Sequence, residues 1–221
     1  MTKQKVAIAL PTGVLLPGAL RILARSGVVR LSAAELGRKL LVERPAVRVI
    51  LVRPADVAAY VDHGAADLGI VGKDVLWESH GAHYELADLH FGGCRLVLAV
   101  PATSKLAGRE TWPPLLRVAT KYPRTAASWF EAQGQSVEVV RLHGSVELAP
   151  QVGLVDGIVD LTASGRTLRE NKLRVAAVLG ASTARLIANQ ASLKTRTAAV
   201  QSMVARLREA ADQPSARAAV S

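Results

Sequence analysis

The chain has 221 residues, half of them hydrophobic, with a formal charge of +10 and a single cysteine, Cys94. That length allows one large domain or two smaller lobes with a packed core. A lone cysteine excludes an internal disulfide and a thiolate zinc cluster, the scattered histidines offer no metal-ligand spacing, and the basic balance points to polyanionic partners.

The first apolar run, residues 6–10, is too short for a signal-peptide core or a membrane span and reads as a buried strand. The chain is therefore expected in the cytoplasm, away from membranes. "PTGVLLPG" reads as a loop opening a helix over 19–25. "KLLV" and "VRVILV" read as strands around a turn at 44–46, and Pro54 starts a helix through Val61, because proline is tolerated in the first turn. "ADLGIVG" is a strand ending at glycine, and 95–100 is another buried strand. "PATSKLAGRETWPP" is a loop, followed by the strand "LLRVAT". Pro123 opens a helix across 126–133 that Gly134 ends. "VEVVRL" is a strand, "SVELAP" a short helix, "GIVDL" a strand, and "SGRTLREN" a helix start. The strands "RVAAVLG" and "ARLIAN" follow. Ser192 then caps a helix to about 211 with Val200, Met203, Val204 and Leu207 on one face. The tail "QPSARAAVS" is small and polar and is expected to fray.

Alternating strands and helices predict an α/β protein with mostly parallel sheets. The pattern change near Phe91 predicts two lobes: residues 1–91 plus about 180–221 in one discontinuous lobe, and 92–179 in the other. Ligand sites in such folds lie beyond the carboxyl ends of the strands. The basic residues are spread along the chain and no nucleic-acid-binding signature appears, so no nucleic-acid partner is expected.

Residues 155–167, "VDGIVDLTASGRT", carry the densest chemistry. Asp156 and Asp160 flank a predicted strand and are suited to accept hydrogen bonds from sugar hydroxyls. Ala163, Ser164, Gly165, Arg166 and Thr167 follow at once. Glycine allows close backbone approach, and successive N–H groups at a helix start cradle an anion. Together these describe a ribose 5-phosphate site. The plainer reading is a strand–loop–helix connection with Ser164 as the cap. The stretch is neither a Walker A loop nor a dinucleotide-binding fingerprint, since neither glycine spacing occurs.

Several stretches together resemble one family, the ATP phosphoribosyltransferases, which catalyse the first step of histidine biosynthesis. They are "RKLLV", "LVRPADVAAYVDHGAADLGIVGKDVLWE", the run from "RVATKYP" through "GSVELAPQVGLVDGIVDLTASGRTLRENKL", and "ARLIANQASLK". They span about residues 38 to 195, and "GSVELAP" and "ATKYP" are the most specific. The resemblance implies a two-lobed fold like that of type II periplasmic binding proteins, with the active site in the cleft between lobes. It also implies the short form of the enzyme, which works with a regulatory subunit resembling histidyl-tRNA synthetase, usually as a hetero-octamer.

The implied reaction joins ATP to 5-phosphoribosyl 1-diphosphate (PRPP), giving N1-(5-phosphoribosyl)-ATP and diphosphate. Adenine N1 already carries a lone pair, so positioning and charge stabilisation suffice without a strong general base. Arg38 and Arg53 match family positions near the leaving diphosphate, a role suited to the planar guanidinium fork. Asp74 and Tyr122 match positions on the ATP side, and Lys39 is a further candidate there. Glu147 reads either as a capping partner or as a cleft residue. Magnesium is expected on the substrate phosphates rather than in a protein cage. One departure stands out: where family members often have Lys-Gly-Arg after the first strand, this chain has Thr12-Gly13-Val14. The alternative readings are a catalytically weak paralogue and a cytoplasmic binding protein of the same fold for phosphorylated metabolites.

Overall fold

The computed structural model describes residues 5–106 and 112–213. Most of the C-terminal tail and part of the loop between "PATSK" and "WPP" lie outside the described residues. In chain order the elements are β1 (Val6–Pro11), α1 (Leu16–Arg25), α2 (Ala33–Leu36), β2 (Leu41–Glu43), β3 (Val47–Val52), α3 (Val57–Asp62), β4 (Leu68–Gly72), α4 (Lys73–Glu78), β5 (Tyr84–Asp88), β6 (Cys94–Pro101), β7 (Leu116–Thr120), α5 (Pro123–Ala132), β8 (Val137–Arg141), β9 (Gly157–Thr162), α6 (Arg166–Glu170), β10 (Leu173–Ser182), β11 (Ala184–Ala188), α7 (Gln190–Thr195) and α8 (Thr197–Asp212). The chain divides into two compact units: Met1–Gly92 with Thr183–Ser221, and Gly93–Ser182.

The first unit holds a six-stranded sheet in the order β2-β3-β1-β4-β11-β5. β1 is buried along its whole length and pairs in parallel with β3 and β4. An unbroken apolar run suits a strand covered on both faces. The one-sided apolar pattern of α1 buries Ala19, Leu20, Ile22 and Leu23, and Val200, Val204 and Leu207 of α8 join the same core. Asp67, just before β4, ties this unit together. Its buried carboxylate accepts from the Ala7 N–H at 2.7 Å, the Ser192 hydroxyl at 2.6 Å and the Arg196 guanidinium at 2.8 Å.

The second unit holds a five-stranded sheet, β10-β6-β9-β7-β8. β7 pairs in parallel with β8 and β9, while β6 runs antiparallel to β9 and β10. Its core includes Val97, Ala119, Val146, Ile158 and Leu168. Phe130 of α5 is also buried, edge-on to Trp129 at 5.0 Å between ring centroids.

Two expectations need correction. The sheets are mixed: β2 and β11 in the first unit and β6 in the second run against the central strands, and β5 and β10 pair antiparallel with β11 and β6. β5 and β11 pair side by side because the chain leaves the first unit after β5 and re-enters it through β11. The C-terminal helix pair is capped by Asn189, whose side chain accepts the Ser192 N–H at 2.9 Å. Ser192 was expected to cap, but its hydroxyl is committed to Asp67.

Candidate functional site

In the second unit the parallel strands β7, β8 and β9 release their carboxyl ends at one edge of the sheet. The Thr120 hydroxyl, at the end of β7, donates to the Val159 carbonyl at 2.6 Å and accepts the Tyr122 N–H at 2.8 Å. This stitch fixes "TKYP" beside the end of β9, with Lys121 next in register to Asp160. After β8, the Leu142 N–H returns to the Thr120 carbonyl at 3.0 Å. Ser145 then adopts a left-handed conformation (φ 49°) that starts a short 3-10 turn, Val146–Leu148. Val146 is fully buried and anchors that turn, which carries Glu147.

Asp160 lies within β9, opposite Val97 of β6, and its Oδ1 accepts the N–H of Leu161 at 2.8 Å. Burial pushes its carboxyl above the ordinary aspartate range, and the Glu147 charge adds to that rise. The Leu161 N–H and the Lys121 ammonium oppose it. Lys121 and Glu147 therefore each lie within electrostatic reach of Asp160.

The loop directly after β9 is shaped by its own hydroxyls. Thr162 Oγ1 accepts the Gly165 N–H at 3.0 Å, and Ser164 Oγ accepts the Arg166 N–H at 3.4 Å. Gly165 is left-handed (φ 73°), a conformation that favours glycine, and it leads straight into α6. Leu168 is buried and pins α6, while Ala163, Ser164, Arg166 and Thr167 stay exposed. Arg166 pairs with Glu170 at 2.8 Å, and Arg169 donates to the Ser164 carbonyl at 3.0 Å.

The structure brings Asp160 and residues 163–167 to the same strand end, but it separates Asp156 from them. Asp156 precedes the amino end of β9. At about 3.3 Å per residue, it stands about 13 Å from Asp160 and about 23 Å from Ala163. Its carboxylate is engaged elsewhere, accepting the Arg117 N–H at 2.9 Å and the Arg117 guanidinium at 3.3 Å. The two aspartates cannot share one diol. The second carboxylate at this end of the sheet is Glu147. Its sequence signal was the "GSVELAP" motif, which by itself does not tell a cap from a ligand.

In the first unit, β1, β3 and β4 end together. The capping box of α2, with Ser32 and Glu35 holding each other's backbone N–H, and Gly37 at φ 49° turn the chain into "RKLL". The Lys39 N–H donates to the Leu36 carbonyl at 2.8 Å, and the Leu51 N–H to the Leu40 carbonyl at 2.8 Å. Since β2 is antiparallel to β3, Arg38 and Lys39 sit beside Arg53, which follows the end of β3. All three are exposed. Among the described residues neither Arg38 nor Arg53 makes an ion pair, although many other arginines here do. Asp74 opens α4 at the end of β4 and is buried. A Cβ at residue 72 would overlap its carboxylate, so Gly72 makes room for this aspartate. Tyr122, the remaining candidate, is half-buried at the N-terminus of α5 in the second unit.

The family model described as ATP phosphoribosyltransferase matches residues 53–209. The ATP phosphoribosyltransferase of Caldanaerobacter subterraneus subsp. tengcongensis is 45% identical over 206 residues, covering 92% of this chain and 96% of its own. Among solved structures, the ATP phosphoribosyl transferase (HisG:HisZ) complex from Thermotoga maritima matches with a TM-score of 0.78 and 34% identity, over 93% of this chain and 98% of that one. The alkanesulfonate-binding protein of Xanthomonas axonopodis pv. citri, bound to MOPS, matches with a TM-score of 0.57 at 14% identity, over 93% of this chain and 72% of that one. The latter likeness shows the fold alone, that of periplasmic substrate-binding proteins.

Proposed function

The chain belongs to the ATP phosphoribosyltransferase family, and from that premise we infer that it condenses ATP with PRPP to N1-(5-phosphoribosyl)-ATP and diphosphate, opening histidine biosynthesis. The observation that carries this reading at the level of residues is the end of β9. There one semi-buried carboxylate, Asp160, is followed five residues later by the left-handed Gly165 and then by the first turn of α6. That order suits a sugar hydroxyl followed by a 5-phosphate.

Asp160, with Glu147 beside it, accepts hydrogen bonds from the ribose hydroxyls. Both carboxylates also favour the positive charge that grows on the ribose ring as diphosphate departs. Ser164, Gly165, Arg166 and Thr167, with Ala163, hold the 5-phosphate through first-turn N–H groups and side-chain donors. Asp156 braces β7 against β9 through Arg117 and takes no part in binding.

On the first unit, Arg38 and Arg53 stabilise the leaving diphosphate, and their lack of acidic partners leaves both guanidinium forks for phosphate oxygens. Lys39 and Asp74 are the candidates for ATP on this unit, and Tyr122 is the candidate on the second unit. Adenine N1 attacks the anomeric carbon, the bond to diphosphate breaks, and no side chain has to remove a proton for that step.

Among the described residues no group of His, Cys, Asp and Glu suited to hold a metal ion forms. Independently of that, the reaction proposed here takes magnesium with the substrate phosphates, where it neutralises charge. The HisG:HisZ complex of Thermotoga maritima supports a separate partner subunit for this chain too; its regulatory role and a hetero-octameric assembly are what the family resemblance implies. No helix among the described residues is long and apolar enough to cross a membrane.

The test is the near-ultraviolet absorbance of N1-substituted adenine, recorded with ATP, PRPP, magnesium and a pyrophosphatase, with and without the partner subunit. A rise that needs both substrates is expected. No rise in either sample, from folded protein, would leave a binding protein of the same fold.

A further inference from the structure

The chain leaves the first unit after Gly92 and re-enters it at Thr183. That first returning residue is held on two sides. Its hydroxyl lies 2.9 Å from each carboxylate oxygen of Asp88, the last residue of β5. Its carbonyl accepts the Lys73 N–H at 3.0 Å, and Lys73 is the first residue of α4. The next residue of α4 is the buried Asp74. The register explains the meeting. β11 is antiparallel to both neighbours, with Ala184 opposite Gly72 of β4 and Arg185 opposite Asp88 of β5, so the ends of β4 and β5 flank the start of β11.

The start of α4 needs such a support. A helix leaves its first N–H groups without partners in its own ladder, and here the residue before the helix is Gly72, which has no side chain to accept one. The Thr183 carbonyl takes that part for Lys73. Asp88, in turn, is fixed in place. It accepts the His90 N–H at 2.8 Å and pairs with the Arg185 guanidinium at 3.1 Å. Arg185 also reaches Glu85 at 3.3 Å, and Glu85 pairs with the Lys73 ammonium, which closes a ring back to α4. These ion pairs are partly exposed, and each is worth little by itself. The Thr183 hydroxyl bond is charge-assisted and reaches a carboxylate whose position the others set.

We propose that Thr183, anchored by Asp88, is a positioning residue for ATP: it sets the first turn of α4 and with it the carboxylate of Asp74. The proposal rests on the reading of Asp74 as an ATP contact. Thr183 touches no substrate in this account and acts only through the placement of α4.

The experiment measures kcat, the KM for ATP, the KM for PRPP and the melting temperature, using the full chain with its partner subunit where turnover requires it. Wild type, Thr183→Val, Thr183→Ser and Asp74→Asn are run side by side. Thr183→Val keeps the shape of the side chain and removes only the hydroxyl. Its KM for ATP is expected to rise about two- to tenfold, the size of one net hydrogen bond, with the KM for PRPP little moved. Thr183→Ser, which restores the hydroxyl, is expected to return the wild-type KM for ATP. A merely structural role would lower the melting temperature and either leave both KM values alone or move them together, and either result for Thr183→Val would overturn the proposal. So would a raised KM for ATP that Thr183→Ser fails to restore. Asp74→Asn separates this failure from that of the underlying reading. If it keeps the wild-type KM for ATP, the ATP assignment of Asp74 is wrong and the proposal falls with it. If it raises that KM while Thr183→Val does not, only the role of Thr183 falls. Where turnover is slow, calorimetric titration of the same four proteins with ATP alone gives the same comparison.

Discussion

Replacing the two aspartates of "VDGIVD" one at a time should separate chemistry from stability. Asp160→Asn removes a charged acceptor from the proposed ribose contact. Such a bond is worth about 1.5–3 kcal/mol, so kcat/KM for PRPP should fall about 10- to 150-fold with ATP binding little changed. The same substitution should stabilise the fold at neutral pH. The folded Asp160 holds its proton to higher pH than the unfolded chain does, because burial disfavours its charge. Its contribution is therefore most favourable below the ordinary aspartate range and is lost as pH rises through the raised folded pKa. The neutral amide avoids that loss, so the gain in melting temperature over wild type should be present at neutral pH and shrink under acid. Asp156→Ala should do the reverse. It leaves the Arg117 N–H, now held at 2.9 Å, without its acceptor, a cost of about 1–3 kcal/mol. The Asp156 side chain is 38% exposed, which lets water replace part of the bond and favours the lower end. At roughly 2–4 °C per kcal/mol for a chain of this size, a fall of a few degrees is expected, with PRPP kinetics near wild type. Steady-state kinetics and thermal unfolding on the same samples decide the matter. A PRPP defect in Asp156→Ala as large as that of Asp160→Asn would refute the placement of the two carboxylates at opposite strand ends.

Asp67→Ala should be the most damaging single change in the first unit. It leaves the Ala7 N–H, the Ser192 hydroxyl and the Arg196 guanidinium without their shared acceptor, at about 3–5 kcal/mol for a broken buried ion pair. A melting temperature within about 2 °C of wild type would rule that network out as a major support. Gly72→Ala tests Asp74 indirectly. Residue 72 has an ordinary φ of −70°, so the change adds no backbone strain, only the overlap with the Asp74 carboxylate. The KM for ATP should rise roughly fivefold or more, in line with the usual cost of overpacking, with the KM for PRPP little moved. An unaltered ATP KM would take Asp74 away from that substrate.

Much of the fold was legible because the central strands advertise themselves. β1, β4 and β9 are short apolar runs bounded by glycine, proline or aspartate, and a strand buried on both faces must read that way. β5 was missed for the opposite reason. "YELAD" is half-exposed, so its pattern is that of a loop. Its place in the sheet depends on β11, which lies about a hundred residues further along the chain. The antiparallel pairings of β6 with β9 and β10 were equally invisible, since strand direction follows from the path between units and not from local composition. At the site, the loop 163–167 could be read locally because a turn and a helix start are local events. The partnership of the two aspartates could not. Even spacing along a strand places residues 156 and 160 on one face, but it also sets them far apart, and sequence proximity hid that distance. Lys121 comes from an element remote in sequence, and the register of β7 against β9 brings its backbone beside that of Asp160, while Glu147 arrives on the 3-10 turn after β8.

The loop after β1 shows how the chain departs from its family without departing from its fold. Gly13 keeps a left-handed conformation at φ 79°, and a Cβ there would meet nothing within 4 Å. Backbone geometry, rather than crowding, is what the glycine serves. The Thr12 N–H is held by the Val52 carbonyl at 2.8 Å, which sets this loop beside Arg53. Val14 is 93% exposed. Thr12 and Val14 stand at the two positions where the resemblance leads one to expect cations, and they bring no charge. A change of charge without a change of shape alters electrostatic attraction while leaving the positions of neighbouring groups intact. In the proposed reaction the remaining cations at this sheet end, Arg38, Lys39 and Arg53, meet the phosphate charge that a Lys-Gly-Arg loop would have shared. That Arg38 and Arg53 are spent on no acidic neighbour is the condition under which they can do so. The proposed diphosphate role therefore rests on these two arginines more heavily here than in relatives that keep the Lys-Gly-Arg loop.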